Sequence, residues 1–437
     1  YKNMPSEERV RLAAELNIPI SKENAEKAEF FRPDEASDEV VYLRQKREEL
    51  GGPLPSRVVD CPSVQTPGLE VFVDLLKGTE RAVSTTMVMV RLLSLLIKMP
   101  EIGKYIVPIV PDEARTFGMD GLFKVAGIYA PEGQNYQPVD ADTLMPYREA
   151  ADGQILQEGI CETGAMASFM AAGSAYAVHG LPMIPFYIFY SMFGFQRVGD
   201  MIWSCGDMMC RGFLLGGTAG RTTLNGEGLQ HEDGHSLILA SSVPNLLTYD
   251  PAFGFELTVI VREGIRRMYE EQEDLFYYIT LYNENYTHPG LVEADQTIDD
   301  VNKETIEGIL RGGYCFERRL AGPKRPHVHL LASGSIMQQA ITAKEMLVDL
   351  EINVCIWSIT SFIELERNAL DCDRINRLNP SKNQKVSYLE EMFCDESGVF
   401  VAVSDYMKSL SSGISRWLPG PSEVLVTDGY GLSETKS

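Results

Sequence analysis

HVHLLASGSIMQQAITAKEMLVDLEINVCIWSIT, residues 327–360, sets two short apolar runs on either side of a longer mixed one. His327–Leu331 and Val354–Ile359 read as strands, and Ser335–Val348 between them carries apolar residues at helical spacing. Strands that alternate with helices build a parallel sheet with helices on its faces. The series continues with a helix at Phe362–Leu378, a strand at Val399–Val403, a helix at Tyr406–Trp417 and a strand at Glu423–Val426. Upstream, helical stretches at Thr86–Lys98 and Glu162–Val178 alternate with apolar runs at Tyr105–Val110, Met183–Phe189, Asn245–Tyr249 and Leu275–Leu281. The fold class is therefore α/β, with two consecutive α/β domains and mainly parallel sheets. Residues 1–55 form a charged helical connector and residues 56–290 the first α/β domain. Residues 291–310 form a polar linker, and residues 311–437 the second, incomplete α/β domain.

Composition narrows the function. The 437 residues carry 44% apolar and 23% charged side chains, as a globular protein does, and a net charge of −23. With no basic cluster, nucleic acid and anionic membrane are poor partners. The apolar stretches Val88–Ile97 and Ile184–Phe195 are too short or too interrupted to cross a bilayer. Eight scattered cysteines without a C-x-x-C pair predict reduced, buried thiols and a cytoplasmic location. The sequence begins at Tyr1 and reads as a fragment or a processed product.

TTLNGEGLQHEDGH, residues 222–235, spells H-E-x-x-H, the zinc-protease helix motif. Both histidines would have to converge from one face of a stable helix. Gly226, Gly228 and Gly234 oppose that helix, and residues 222–230 lack an apolar face to bury it. No metal site is expected here. A polar loop with solvated histidines and a metal-free site that handles protons remain as readings. Gly216–Thr222 resembles a phosphate loop but lacks both the spacing and the lysine of one.

In GQILQEGICETGAMASFMA, residues 153–171, Glu158 and Glu162 stand four apart, on one face if the stretch is helical. Beyond Glu162 the residues become small and apolar, so desolvation would raise the pKa of this carboxyl. The competing reading is a surface acid at a helix N-terminus, favoured by the dipole. The aromatic run Tyr187–Phe195 reads as a strand entering a loop, where a ring past the strand end would stack on a heteroaromatic ligand. Residues 131–153 form a long polar loop, either a lid or a disordered segment.

VPDEARTFGMDGLF (110–123), GQILQEGICETGA (153–165), PMIPFYIFYSMFGFQRVGD (182–200), GGTAGRTTLNGEGLQHEDGH (216–235) and YYITLYNENY (277–286) together resemble one family. It is the homodimeric bacterial pyruvate dehydrogenase decarboxylating component, a thiamine diphosphate enzyme of the transketolase superfamily. The resemblance implies a pyrimidine-binding module of the thiamine diphosphate-binding fold, followed by a transketolase C-terminal-like domain. It implies oxidative decarboxylation of pyruvate and transfer of the acetyl group to lipoyl domains of the dihydrolipoyl acyltransferase component, within the pyruvate dehydrogenase complex. Glu162 would meet the pyrimidine ring of the cofactor and favour the imino tautomer. Phe193 would pack on that ring with Tyr190 beside it, and Asp112 and Glu113 would line the pocket. Glu227 and His231 would orient the 2-oxo acid and move protons, while Glu232 and His235 would support the loop.

The Gly-Asp-Gly motif by which the family holds magnesium and the diphosphate is absent from the 437 residues. The expectation is a homodimeric enzyme of which this chain carries the pyrimidine side, with the magnesium ligands on an N-terminal domain and the isolated fragment inactive. Transketolase, another 2-oxo acid dehydrogenase subunit and a catalytically silent partner module stand as alternatives.

Overall fold

The computed structural model describes residues 4–49, 51–52, 59–111, 114–143, 146–292 and 301–432. The chain divides into two compact units, Tyr1–Val58 and Val59–Ser437. The smaller has helices Ser6–Glu15, Lys22–Glu26 and Asp38–Glu49, and Ala25 is the one buried residue among these three helices. Charged residues fill about half of the positions in these helices and leave little apolar surface with which to build a core.

The larger unit holds the sheets. In chain order the strands are β1 (Ile106–Val110), β2 (Ile128–Tyr129), β3 (Glu149–Ala150), β4 (Leu156–Gln157), β5 (Ile184–Tyr190), β6 (Phe213–Gly217), β7 (Leu246–Tyr249), β8 (Phe276–Thr280), β9 (Tyr314–Arg319), β10 (His327–Ala332), β11 (Asn353–Ser358), β12 (Val399–Val403) and β13 (Ser422–Leu425). The first sheet has the order β4-β1-β5-β6-β8-β7, every pairing parallel. Every residue of β1, β6 and β8 is buried, because helices cover both faces and the strands read as continuous apolar runs. The second sheet has the order β13-β12-β10-β11-β9, with β9 antiparallel at its edge. The mainly parallel α/β reading holds for both sheets.

Five local readings change. Phe213–Gly217, absent from the strands read in the sequence, is β6, and Gly216 and Gly217 close it. A Cβ at Gly217 would come within 2.7 Å of the Phe117 ring, and one at Gly216 would run into Tyr278, so the small residues admit neighbouring rings. After Tyr190 the chain enters not a loop but the helix Ser191–Asp207, which kinks at Val198. Glu158 lies ahead of the helix Glu162–Gly173 and does not share a face with Glu162. The stretch Tyr406–Trp417 breaks into the short helix Lys408–Ser412 and a 3-10 turn, Ser415–Trp417. A further helix, Lys303–Arg311, falls inside the stretch expected as linker, of which residues 293–300 lie outside the described residues.

Buried polar bonds join the two sheets. Glu256, on the helix Gly254–Ile265 and fully buried, accepts from Tyr314 Oη at 2.8 Å and Ser358 Oγ at 2.6 Å across the junction. Asp250 N–H donates to Thr360 O at 2.7 Å, and Gly334 N–H to Asp250 O at 3.1 Å. Among the described residues no helix is long and apolar enough to cross a membrane.

Candidate active site

Open parallel sheets present ligand sites past the carboxyl ends of their strands. Here β5 ends at Tyr190 and β6 at Gly217, and a cavity of about 340 Å³ lies just beyond, lined among others by Thr116, Tyr190, Thr218, Glu227, His231 and Asn283. Thr218 holds φ 55°, an uncommon left-handed backbone for a β-branched residue. Its Oγ1 and the Nδ1 of His231 are buried without a hydrogen-bond partner. Buried polar atoms are nearly always paired, so two orphans on one cavity wall suit a polar ligand.

Three rings form the wall between this cavity and the first turn of the helix Ser191–Asp207. Ring centroids of Tyr190 and His231 stand 5.6 Å apart, Phe193 and His231 5.8 Å, and Tyr190 and Phe193 6.1 Å. One helical turn on, the Arg197 guanidinium lies 4.0 Å from the Phe193 ring centre and donates to Glu162 Oε1 at 2.6 Å. Glu162 opens the helix Glu162–Gly173, with its side chain 11% exposed. The desolvation expected of this carboxylate is thus accompanied by an ion pair and by the positive end of its own helix. Tyr187, behind it on β5, donates to the Glu162 carbonyl at 3.3 Å, and burial first, then the charge of Glu162, push its hydroxyl pKa up.

His231 Nδ1 and Glu227 Oε2 are 4.0 Å apart, within electrostatic reach but beyond a direct hydrogen bond. Neither sits on an α-helix; residues 222–235 run through a 3-10 turn, further turns and an isolated bridge from Asp233 to Gly220. His235 turns away from His231, with its Nε2 3.0 Å from Gln196 Nε2. The two histidines of the zinc-like pattern therefore serve different neighbours. Among the described residues no group of three His, Cys, Asp or Glu side chains could hold a metal ion.

The same segment is fastened by buried acids. Asp233, fully buried, accepts from Ser191 Oγ at 2.6 Å, Ser236 N at 2.9 Å, Tyr406 Oη at 3.2 Å and the Ser236 hydroxyl. Glu232 accepts from Gly431 N at 2.7 Å. Asp405, from the second sheet's domain, accepts the N–H of Arg221 at 2.7 Å and of Thr222 at 2.9 Å. Arg221, itself 1% exposed, donates to Thr427 O at 2.8 Å and Tyr430 Oη at 2.6 Å.

The structure brings Glu162, Phe193, Tyr190, His231 and Glu227 into one contiguous group. Asp112 and Glu113 lie outside the described residues. Sequence reasoning missed Arg197, although its i+4 spacing from Phe193 would have pointed to it had the helix been read. It also missed Asp405, whose partners lie 183 and 184 residues away. Within the long polar loop β3 pairs in parallel with β2, which precedes the loop, and Asp140 accepts from Tyr147 N at 3.0 Å and pairs with Arg115.

Comparison with known proteins identifies the family. The family model of the pyruvate dehydrogenase E1 component middle domain matches residues 71–289, and that of the transketolase-like C-terminal domain residues 312–437. The pyruvate dehydrogenase E1 component of Pseudomonas aeruginosa is 50% identical over 424 residues, covering 96% of this chain and 47% of that protein. Its counterpart in Cupriavidus necator is 45% identical over 441 residues, covering 100% and 48%, and that of Escherichia coli 45% over 425 residues, covering 96% and 46%. The chain thus spans about half the length of these relatives. Transketolase structures from Campylobacter jejuni (TM-score 0.60, 15% identity, 98% of this chain and 55% of that one) and Pichia stipitis (0.61, 16%, 99% and 55%) share the fold. The middle-domain match covers half of the sequence, and the chain belongs to the pyruvate dehydrogenase E1 component family.

Proposed function

We propose that this chain carries the pyrimidine-side half of a thiamine diphosphate site that decarboxylates pyruvate oxidatively. In this reading the acetyl group passes to lipoyl domains of the dihydrolipoyl acyltransferase component, within a cytoplasmic, homodimeric enzyme of the pyruvate dehydrogenase complex. The observation that carries it is the unbroken path Glu162–Arg197–Phe193–Tyr190–His231–Glu227, which links a buried carboxylate to a small polar cavity past the ends of β5 and β6.

The residues fit the heteroaromatic part of the cofactor: Glu162 offers a shielded carboxylate, and Phe193 and Tyr190 offer ring faces next to it. When bound, thiamine diphosphate supplies the electron sink that cleavage beside a keto group requires. Glu162 would present its carboxyl group to the pyrimidine ring and exchange a proton with it. Arg197, at 2.6 Å from Oε1, fixes the carboxylate's direction. His231, through its orphaned Nδ1, and Glu227 orient the 2-oxo acid and move protons at the cavity. The family resemblance assigns Asp112 and Glu113 to the same pocket. The described residues do not make a magnesium site; the diphosphate and its metal would be held by a segment bearing Gly-Asp-Gly.

Among the described residues that line the cavity none is lysine or arginine, which favours a small 2-oxo acid over the sugar phosphate of a transketolase. The test joins this chain to a polypeptide carrying the Gly-Asp-Gly half of a relative. Carbon dioxide release from pyruvate is then followed with thiamine diphosphate, magnesium and an artificial electron acceptor. Glu162→Ala should lower turnover by about 10²–10⁴-fold, with unchanged folding by circular dichroism. Equal rates for native and variant chains would remove Glu162 from the chemistry.

A further inference from the structure

Two thiols outside the candidate site face each other across neighbouring strands. Cys315, the second residue of the edge strand β9, and Cys355, on β11, bring their Sγ atoms to 3.3 Å. A register shift between Ile356 and Trp357 produces this meeting: Cys315 pairs with Trp357, whereas Cys355 pairs with Arg318. The extra residue in β9 increases the local twist, as bulges do, and the two cysteine side chains converge diagonally.

Their surroundings differ in a way that suits exchange chemistry. Cys315 is exposed and Cys355 is only 3% exposed. The Cys315 thiol is drawn down to about 7, first by the hydrogen bond from Cys355 and then by the Arg318 guanidinium, against some desolvation. Cys355, the donor in that bond, is pushed up, and burial adds to the effect. One sulphur is therefore an accessible thiolate near neutral pH, and the other is a protected thiol in contact with it. Cys205 and Cys210, by contrast, are both fully buried in the apolar core, where an oxidant has no approach.

We propose that Cys315 and Cys355 are a redox-modification site: they close reversibly into an intramolecular disulfide, with a low-molecular-weight disulfide such as glutathione disulfide as oxidant. The Cys315 thiolate attacks one sulphur of the small disulfide, forming a mixed disulfide and releasing the first small thiolate. Cys355 then loses its proton and attacks Cys315 Sγ, forming the intramolecular bond and expelling the second thiolate. The protein loses two electrons and two protons, and the small disulfide becomes two thiols. Closure shortens the Sγ separation from 3.3 Å to about 2 Å, a movement that side-chain rotation supplies. The bond ties the sheet's edge strand to β11 beside Tyr314, whose hydroxyl holds Glu256 across the domain junction.

The inference does not depend on the catalytic reading and is tested on this chain as it stands. The reduced protein is incubated with glutathione disulfide near neutral pH, and peptides are mapped by mass spectrometry without reduction. The expected result is a cross-linked peptide joining Cys315 to Cys355, lighter by two hydrogens and lost on adding dithiothreitol. In Cys355→Ser the mixed glutathione disulfide should instead accumulate on Cys315, and in Cys315→Ser no glutathione should reach Cys355. A stable glutathione adduct on Cys315 of the native protein, or modification only at the exposed Cys161 and Cys394, would overturn the proposal. Should either variant fail to fold by circular dichroism, the native peptide map decides alone.

Discussion

Replacing Asp405 by alanine tests whether the second sheet's domain holds the segment that carries Glu227 and His231. Asp405 is 1% exposed, and its carboxylate collects the Arg221 N–H at 2.7 Å and the Thr222 N–H at 2.9 Å. The hydroxyls of Thr222 at 2.8 Å and Thr427 at 3.1 Å complete the set. A hydrogen bond to a charged acceptor contributes about 1.5–3 kcal/mol, and a buried donor left unpaired costs about 1–3 kcal/mol. Thr222 is exposed and Thr427 half-buried, so both hydroxyls can turn to water and the two amides decide the sum. Asp405→Ala should therefore destabilise this segment by about 3–5 kcal/mol. Asp405→Asn keeps one acceptor oxygen and should cost about half as much. Native-state hydrogen exchange reads the effect locally: the Arg221 and Thr222 amides should exchange roughly 10²–10⁴-fold faster in the alanine variant, at about 1.4 kcal/mol per tenfold. Exchange of both amides within about tenfold of the native rate would refute the reasoning.

Three further outcomes follow from named contacts. His288, 4% exposed, accepts the Gly254 N–H on Nδ1 at 2.9 Å and donates to the Val83 carbonyl from Nε2 at 2.9 Å; burial is the main force that lowers its pKa below the ordinary 6.5. Since the folded state then binds a proton less readily than the unfolded chain, the stability His288 contributes is present above about pH 6.5 and is lost as pH falls through the folded value. Urea titrations at about pH 7.5 and 5.5 should show a loss on acidification that His288→Gln lacks, and equal slopes would contradict the assignment. Gly234→Ala places a Cβ against the Arg221 guanidinium, which Thr427 and Tyr430 hold in place, so thermal unfolding should reveal a cost of about 1–3 kcal/mol. Arg197 is 47% exposed, so Arg197→Met should alter stability by less than ~1 kcal/mol; a larger loss in a thermal melt would assign it a structural role instead.

Local sequence pattern was enough to read the fold class and most of the elements. Phe362–Leu378 and Val399–Val403 appear with the bounds read from periodicity, because burial of one helical stripe and of whole parallel strands leaves a local signature. It also disposed of the zinc pattern through Gly226, Gly228 and Gly234, since helix propensity is a local property. It left the strand β6 out, because what permits Gly216 and Gly217 there is the space occupied by Tyr278 and Phe117 from elsewhere in the chain. The helix after Tyr190 was hidden for a related reason: an aromatic run serves the strand and the first helical turn equally well. The chain's candidate site residues were recognised through long motifs, but their mutual arrangement was decided by tertiary structure alone. The Arg197–Glu162 pair and the Asp405 clasp join residues 35 and more than 180 positions apart. Such pairings depend on where two folded elements meet, and no local pattern encodes that distance.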